Sequence, residues 1–154
     1  MKPALILGLT IIALAVAALG QAKNTSGTKD KSDEQAPPPS ASINPSSLDF
    51  KDQVAKKASK PQRITITNTG GKDLYINSIV IDGDNKEDFS TTRDTCTGAT
   101  ISANKTCVVD IIITPSATER RVATLVITNT ALDSPQKVRL TANGINSSAV
   151  PPKD

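Results

Sequence analysis

The feature that most constrains this chain is a two-residue alternation of aliphatic and polar side chains, repeated in short runs between Ile64 and Ala142. Ile64 and Ile66 alternate with Thr65 and Thr67. Cys107, Val109, Ile111 and Ile113 point one way, with Asp110 on the other face. Ala123, Leu125 and Ile127 repeat the pattern, as do Val138, Leu140 and Ala142 against Lys137, Arg139 and Thr141. A period of two places alternate side chains on opposite faces of an extended strand. In Leu74–Asp82 the apolar set slips from Leu74 and Ile76 to Ile79 and Ile81, which predicts a bulge near Asn77–Ser78. Ile43–Phe50 reads as a broken first strand, confined to an edge by Pro45, and Phe89–Thr91 as a short one. About seven such strands in about 100 residues, with turn residues between them and no helical period, predict an all-β fold. Its architecture is an immunoglobulin-like antiparallel β-sandwich.

One internal echo stands out. Ile64-Thr-Ile-Thr-Asn-Thr-Gly70 resembles Leu125-Val-Ile-Thr-Asn-Thr-Ala131. The similarity stops after these residues, whereas true repeats recur over roughly 20–50 residues. Shared turn chemistry at Asn accounts for it. Asn143-Gly144 is expected to close the domain.

The N-terminus is organised differently. Lys2 precedes an apolar run, Ala4–Leu19, followed by small residues with Gly20 and Ala22 at the positions a signal peptidase reads. Residues 1–22 are therefore expected to be a secretory signal. The alternative is an uncleaved membrane anchor, although a spanning helix wants about 20 apolar residues. Residues 23–41 are polar, end in Pro37-Pro38-Pro39 and predict a disordered linker. The sandwich is expected over 42–144 and a flexible tail over 145–154.

Cys96 and Cys107 are the only cysteines. An even number in a small exported domain reads as a disulfide. Closing a loop of that size stabilises by roughly 3 kcal/mol in the chain-entropy model. A zinc-type site would need further soft or imidazole ligands, and the chain has no His.

Composition narrows the function. There is no His and no Trp, with one Tyr and two Phe, so the commonest general base and most aromatic binding platforms are missing. Nucleophile elbows, phosphate-binding glycine loops and paired-histidine motifs are not found. Lys and Arg number 18 against 15 Asp and Glu, a net charge of +3, so a nucleic-acid partner is not expected. Asp82, Asp84 and Asp88 lie in the densest acidic stretch and are candidate calcium ligands. The order of an EF-hand fails there, because Lys86 stands at the third ligand position. Lys56, Lys57 and Lys60, with Arg63 nearby, form the densest basic patch, and Arg120-Arg121 reads as a hairpin tip.

The stretches Asp88-Phe-Ser90, Thr95-Cys96, Ser102–Cys107, Val109–Pro115, Leu125–Asn129, Ser134-Pro-Gln136 and Val138–Gly144 together resemble the bacterial choice-of-anchor D modules. Those are immunoglobulin-like domains related to the Hydin-type (ASH) and major-sperm-protein-like sandwiches. The resemblance covers about 43–144. It departs from the family pattern at Ile113, where Phe is frequent, and in holding one module where the family often has several. The resemblance implies the fold and an extracytoplasmic setting. It implies no reaction and supplies no catalytic residues.

These readings predict an exported, non-enzymatic module without a cofactor, secreted, periplasmic or on the cell surface. It would grip a protein partner, such as a component of the cell envelope, by surface and strand-edge contacts. Ile43, Leu48, Phe50, Lys56, Lys57 and Lys60 are the candidate partner-binding residues. A membrane enters only if the N-terminal segment stays uncut, and calcium-dependent adhesion is the other alternative.

Overall fold

The computed structural model describes residues 36–149. The expected signal, residues 23–35 of the expected linker and residues 150–154 lie outside the described residues. Nine strands follow one another: β1 (Ala41–Asn44), β2 (Ser47–Val54), β3 (Gln62–Asn68), β4 (Leu74–Asp82), β5 (Phe89–Asp94), β6 (Thr100–Ile101), β7 (Thr106–Ile113), β8 (Arg120–Asn129) and β9 (Gln136–Ile145). They form a four-stranded sheet in the order β1-β3-β7-β5 and a five-stranded sheet in the order β2-β9-β8-β4-β6. The fold is the immunoglobulin-like sandwich that the alternation predicts.

The inner faces are the aliphatic halves of the alternating runs. Ile64, Ile66, Val109, Ile111 and Ile113 of the first sheet meet Leu74, Ile76, Leu125, Ile127, Val138 and Leu140 of the second, all fully buried. Fully burying one such side chain contributes about 1.5–3 kcal/mol. The two phenylalanines sit together at one side of this core, with ring centroids 6.0 Å apart.

Two additions bring the expected seven strands to nine. The expected first strand is two strands in two sheets. β1 pairs antiparallel with β3, and β2 pairs parallel with β9. Pro45 and Ser46 lie between them; proline has no N–H to continue a ladder, so the chain leaves one sheet there and enters the other. The second addition is β6, two residues long and paired with Leu74 and Tyr75. The predicted bulge in β4 is present as a register shift between Ile76 and Ser78.

Close backbone approaches explain two glycines. A Cβ on Gly70 would lie 2.1 Å from the Pro38 carbonyl oxygen, because Pro37–Ser40 is laid against the Asn68–Lys72 turn. The Gly71 and Lys72 N–H groups both donate to the Pro37 carbonyl at 3.0 Å, and Thr69 N–H donates to Ser40. Residues 37–41, placed in the linker by their composition, are thus hydrogen-bonded to the sandwich. Gly144 is the penultimate residue of β9, where a Cβ would stand 1.9 Å from the Ala117 carbonyl oxygen.

The echo around Asn68 and Asn129 is turn chemistry. Asn68 Oδ1 accepts from Gly70 N–H at 3.0 Å, and Asn129 Oδ1 accepts from Ala131 N–H at 2.8 Å. Asn68 also donates to the Lys72 and Ile101 carbonyls, each at 2.8 Å. This fully buried amide ties the end of β3 to β6.

Candidate functional site

A sandwich of two open sheets has four outer edges, and an edge is where another chain can add main-chain hydrogen bonds. Three of the four are blunted. β1 is only four residues long, ends at Pro45, and follows the seated prolines. β5 carries a register shift between Thr91 and Arg93. Its last carboxylate, Asp94, turns back to accept from Cys96 N–H at 2.7 Å and Thr97 N–H at 3.0 Å. The hydrogen bonds from Thr97 and Cys96 hold the Asp94 carboxyl below the usual carboxylate range, against the opposing effect of burial.

β2 is blunted most. Its register shifts between Asp49 and Asp52, and Lys51 sits there at φ 59°. The Asp49 carboxylate accepts from Lys51 Nζ at 2.6 Å and from Lys51 N–H at 3.0 Å. Those two bonds keep the Asp49 carboxyl below its ordinary range. Two carbonyls of this strand are already taken by side chains. Gln62 Nε2 donates to Asp49 O at 3.1 Å, and Gln53 Nε2 donates to Phe50 O at 2.6 Å.

The fourth edge is β4. Its first three residues are covered: β6 pairs with Leu74 and Tyr75, Ile76 N–H donates to Ala99 O at 3.0 Å, and Gly98 N–H donates to Ile76 O at 2.8 Å. The cover is pinned from below by the Cys96–Cys107 disulfide, whose Cα atoms are 5.2 Å apart, within the range such a bond requires. From Asn77 to Asp82 no strand among the described residues lies on the outer side. This length holds no lysine and no proline, and its bulge sits at the upper limit rather than within it. Val80 is 54% exposed on the outer face, while Ile79 and Ile81 are half-buried against the core. Gly83, at φ 110°, turns the chain away below.

The residues singled out from the sequence fall elsewhere. Leu48 and Phe50 are core side chains, each 3% exposed, so they cannot present a partner-binding surface. Burial follows from the alternation of β2, which points both inward. Ile43 is half-buried against the same core. Lys56, Lys57 and Lys60 are exposed in the loop after β2, where Lys56 N–H donates to Pro115 O at 2.8 Å. Arg63 is not free for a basic patch. It makes a bidentate pair with Asp110 across β3 and β7, at 2.7 and 2.9 Å. That hydrogen-bonded guanidinium holds the Asp110 carboxyl below the usual range.

The acidic stretch does not converge. Asp82 and Asp84 face solvent, whereas Asp88 is buried. Asp88 accepts from Ser116 N–H at 3.1 Å and Ser116 Oγ at 3.3 Å, and lies 3.4 Å from Arg121 Nε. No group of three His, Cys, Asp or Glu side chains placed to hold a metal occurs among the described residues. Arg121 is not a hairpin tip: it belongs to β8, points inward and is buried. Counting back by twos from Ala123 would have placed it there. A small polar hollow of about 160 Å³ lies between Asp49, Arg120, Thr141, Ala142 and Asn143. Small-molecule pockets are larger, about 300–1,000 Å³, and mostly apolar.

No family model matches this chain, and no curated protein matches it. Solved structures do. A protein of unknown function from Porphyromonas gingivalis W83 matches with a TM-score of 0.56 at 14% identity, over 68% of this chain and 46% of that one. The ASH/PapD-like domain 7 of human CEP192 matches with a TM-score of 0.53 at 13% identity, over 72% of this chain and 89% of that domain. The periplasmic chaperone SfaE matches with a TM-score of 0.52 at 14% identity, over 73% of this chain and 61% of that one. This chain thus spans about half the length of the Porphyromonas protein. At such identities the likeness is one of fold, and the fold is an immunoglobulin-like sandwich of the ASH/PapD-like type.

Proposed function

We propose that this chain is an exported, non-enzymatic binding or structural module of the cell envelope or extracellular space, of the choice-of-anchor D kind. Its working surface is a strand edge, and its partner is another protein. The observation that carries this reading is the uncovered length of β4 from Asn77 to Asp82, beside three edges that are blunted. Export is supported by the apolar Ala4–Leu19 run and the disulfide. The periplasmic setting of SfaE accords with it.

Two measurements test the reading. Crosslinking in the native envelope should give adducts with the wild type that Val80→Lys loses and Lys57→Glu keeps. Identical adducts from all three would overturn the edge as the working surface. Intact mass of the mature protein should correspond to a chain starting at Lys23; retention of residues 1–22 would favour the membrane-anchored alternative.

A further inference from the structure

We infer that the open edge of β4 pairs antiparallel with the same edge of a second copy of this chain, centred on Val80. This rests on the strand-edge reading above and names its partner. The argument is the self-complementarity of Ser78-Ile79-Val80-Ile81-Asp82. A two-fold axis through the seam at Val80 sets Val80 opposite itself, Ile79 opposite Ile81, and Ser78 opposite Asp82. Directly opposed residues of an antiparallel pair share a face. Ile79 and Ile81, which pair with Ile127 and Leu125 inside the domain, would then meet their counterparts and join the two cores across the seam. Val80 would meet its own copy on the outer face, continuing a row that runs through Val126. No like charges oppose each other, because the Asp82 carboxylate faces the Ser78 hydroxyl.

The register is specified. A slip of one residue sets Ile79 opposite Val80, which would send a core-facing side chain to the outer face. It would also set Asp82 opposite Ile79 or Asn77. The length is bounded as well. Above, the Ile76 N–H and carbonyl are held by Ala99 and Gly98; below, Gly83 turns away. The span that remains is about one ordinary strand, 5–6 residues. The contact is isologous, so it closes at a dimer and does not propagate into a fibre. It joins two five-stranded sheets into one and removes the unprotected edge of each.

The test uses the full chain. Val80→Cys places two thiols across the axis at about 4.5–5.5 Å between Cα atoms, within disulfide range. Mild oxidation should give covalent dimer at least about 10-fold more readily than Lys137→Cys, a position exposed on β9 of the same sheet. Ser78→Cys mixed with Asp82→Cys should crosslink to each other and not to themselves. Val80→Lys opposes two ammonium groups in the pair, so its sedimentation should lose the concentration-dependent dimer that the wild type shows. Equal crosslinking of Val80→Cys and Lys137→Cys, or equal sedimentation of Val80→Lys and wild type, would overturn the inference. In that event a synthetic peptide of residues 77–83 separates the two readings. Shifts of the Ile79–Ile81 amide resonances on titration would leave the edge as a strand-binding site for another protein. Unmoved resonances would remove both readings.

Discussion

β2 and β4 bound the same five-stranded sheet, and they treat their outer sides in opposite ways. β2 spends a bulge, a lysine with positive φ, an aspartate and two glutamine side chains on its edge. β4 spends a disulfide-pinned loop on its first three residues and nothing on the rest. An unprotected aliphatic edge invites pairing with another chain. The contrast within one sheet therefore points to the lower half of β4 as an edge kept open, while the other is closed by several independent devices.

If the open edge is separable from what holds the fold together, interior variants should lower stability and leave the edge unchanged, and edge variants should do the reverse. The largest effect is expected at the buried pair. Asp88→Ala strands Arg121 beneath the sheet and frees Ser116 N–H, so urea unfolding should show a loss of about 3 kcal/mol or more. Adding Arg121→Met should recover part of it; no recovery would mean that the pair is not the cause.

The disulfide comes next. Cys96→Ser with Cys107→Ser opens a loop with a sequence separation of 11 and should cost about 3 kcal/mol. It should also raise exchange at the Ile76 amide relative to Leu125, because Ala99 is the acceptor of that amide. Unchanged exchange at Ile76 would show that the upper half of β4 is covered without the disulfide. Val80→Lys should alter unfolding free energy by no more than about 0.5 kcal/mol, as for other surface positions, while abolishing pairing. A large destabilisation would show that Val80 serves the fold.

The smallest effect is at Asp110. Its carboxyl titrates below the ordinary range because Arg63 bonds to it. Its contribution is therefore complete above the unfolded value and is lost as pH falls through the lower folded value. Asp110→Asn should flatten the decline in stability below about pH 4. Because Arg63 is half exposed, the difference should be small. A steeper decline in the variant would reverse the sign of that account.

Much of this was legible in the alternation alone. Ile64 and Ile66, Val109 to Ile113, Leu125 and Ile127, and Val138 to Ala142 all point inward as the period of two requires. The slip in β4 marked a real bulge. What a strand pairs with was not legible, because the ladder is made by backbone groups that every residue carries. Hence Ile43–Phe50 read as one strand rather than two in different sheets, and Leu48 and Phe50 as surface rather than core. The open edge itself depends on the chain before β6 turning away from β4 above Ile76. That turn is made at Gly98, at φ 74°, and by the Ala99 N–H donating to Cys96 O at 2.9 Å, neither of which shows in the alternation.

The most direct measurement is amide hydrogen exchange, residue by residue, as protein concentration is raised. Among Ile79–Ile81, the amides that point away from β8 should exchange fast in dilute solution relative to Leu125–Ile127, and should slow at least about 10-fold as a second copy or the peptide of residues 77–83 is supplied. Over the same range Asp49–Gln53 of β2 should not change. Exchange in β4 that ignores both additions, or that slows no more than exchange in β2, would contradict the claim that this edge alone is open.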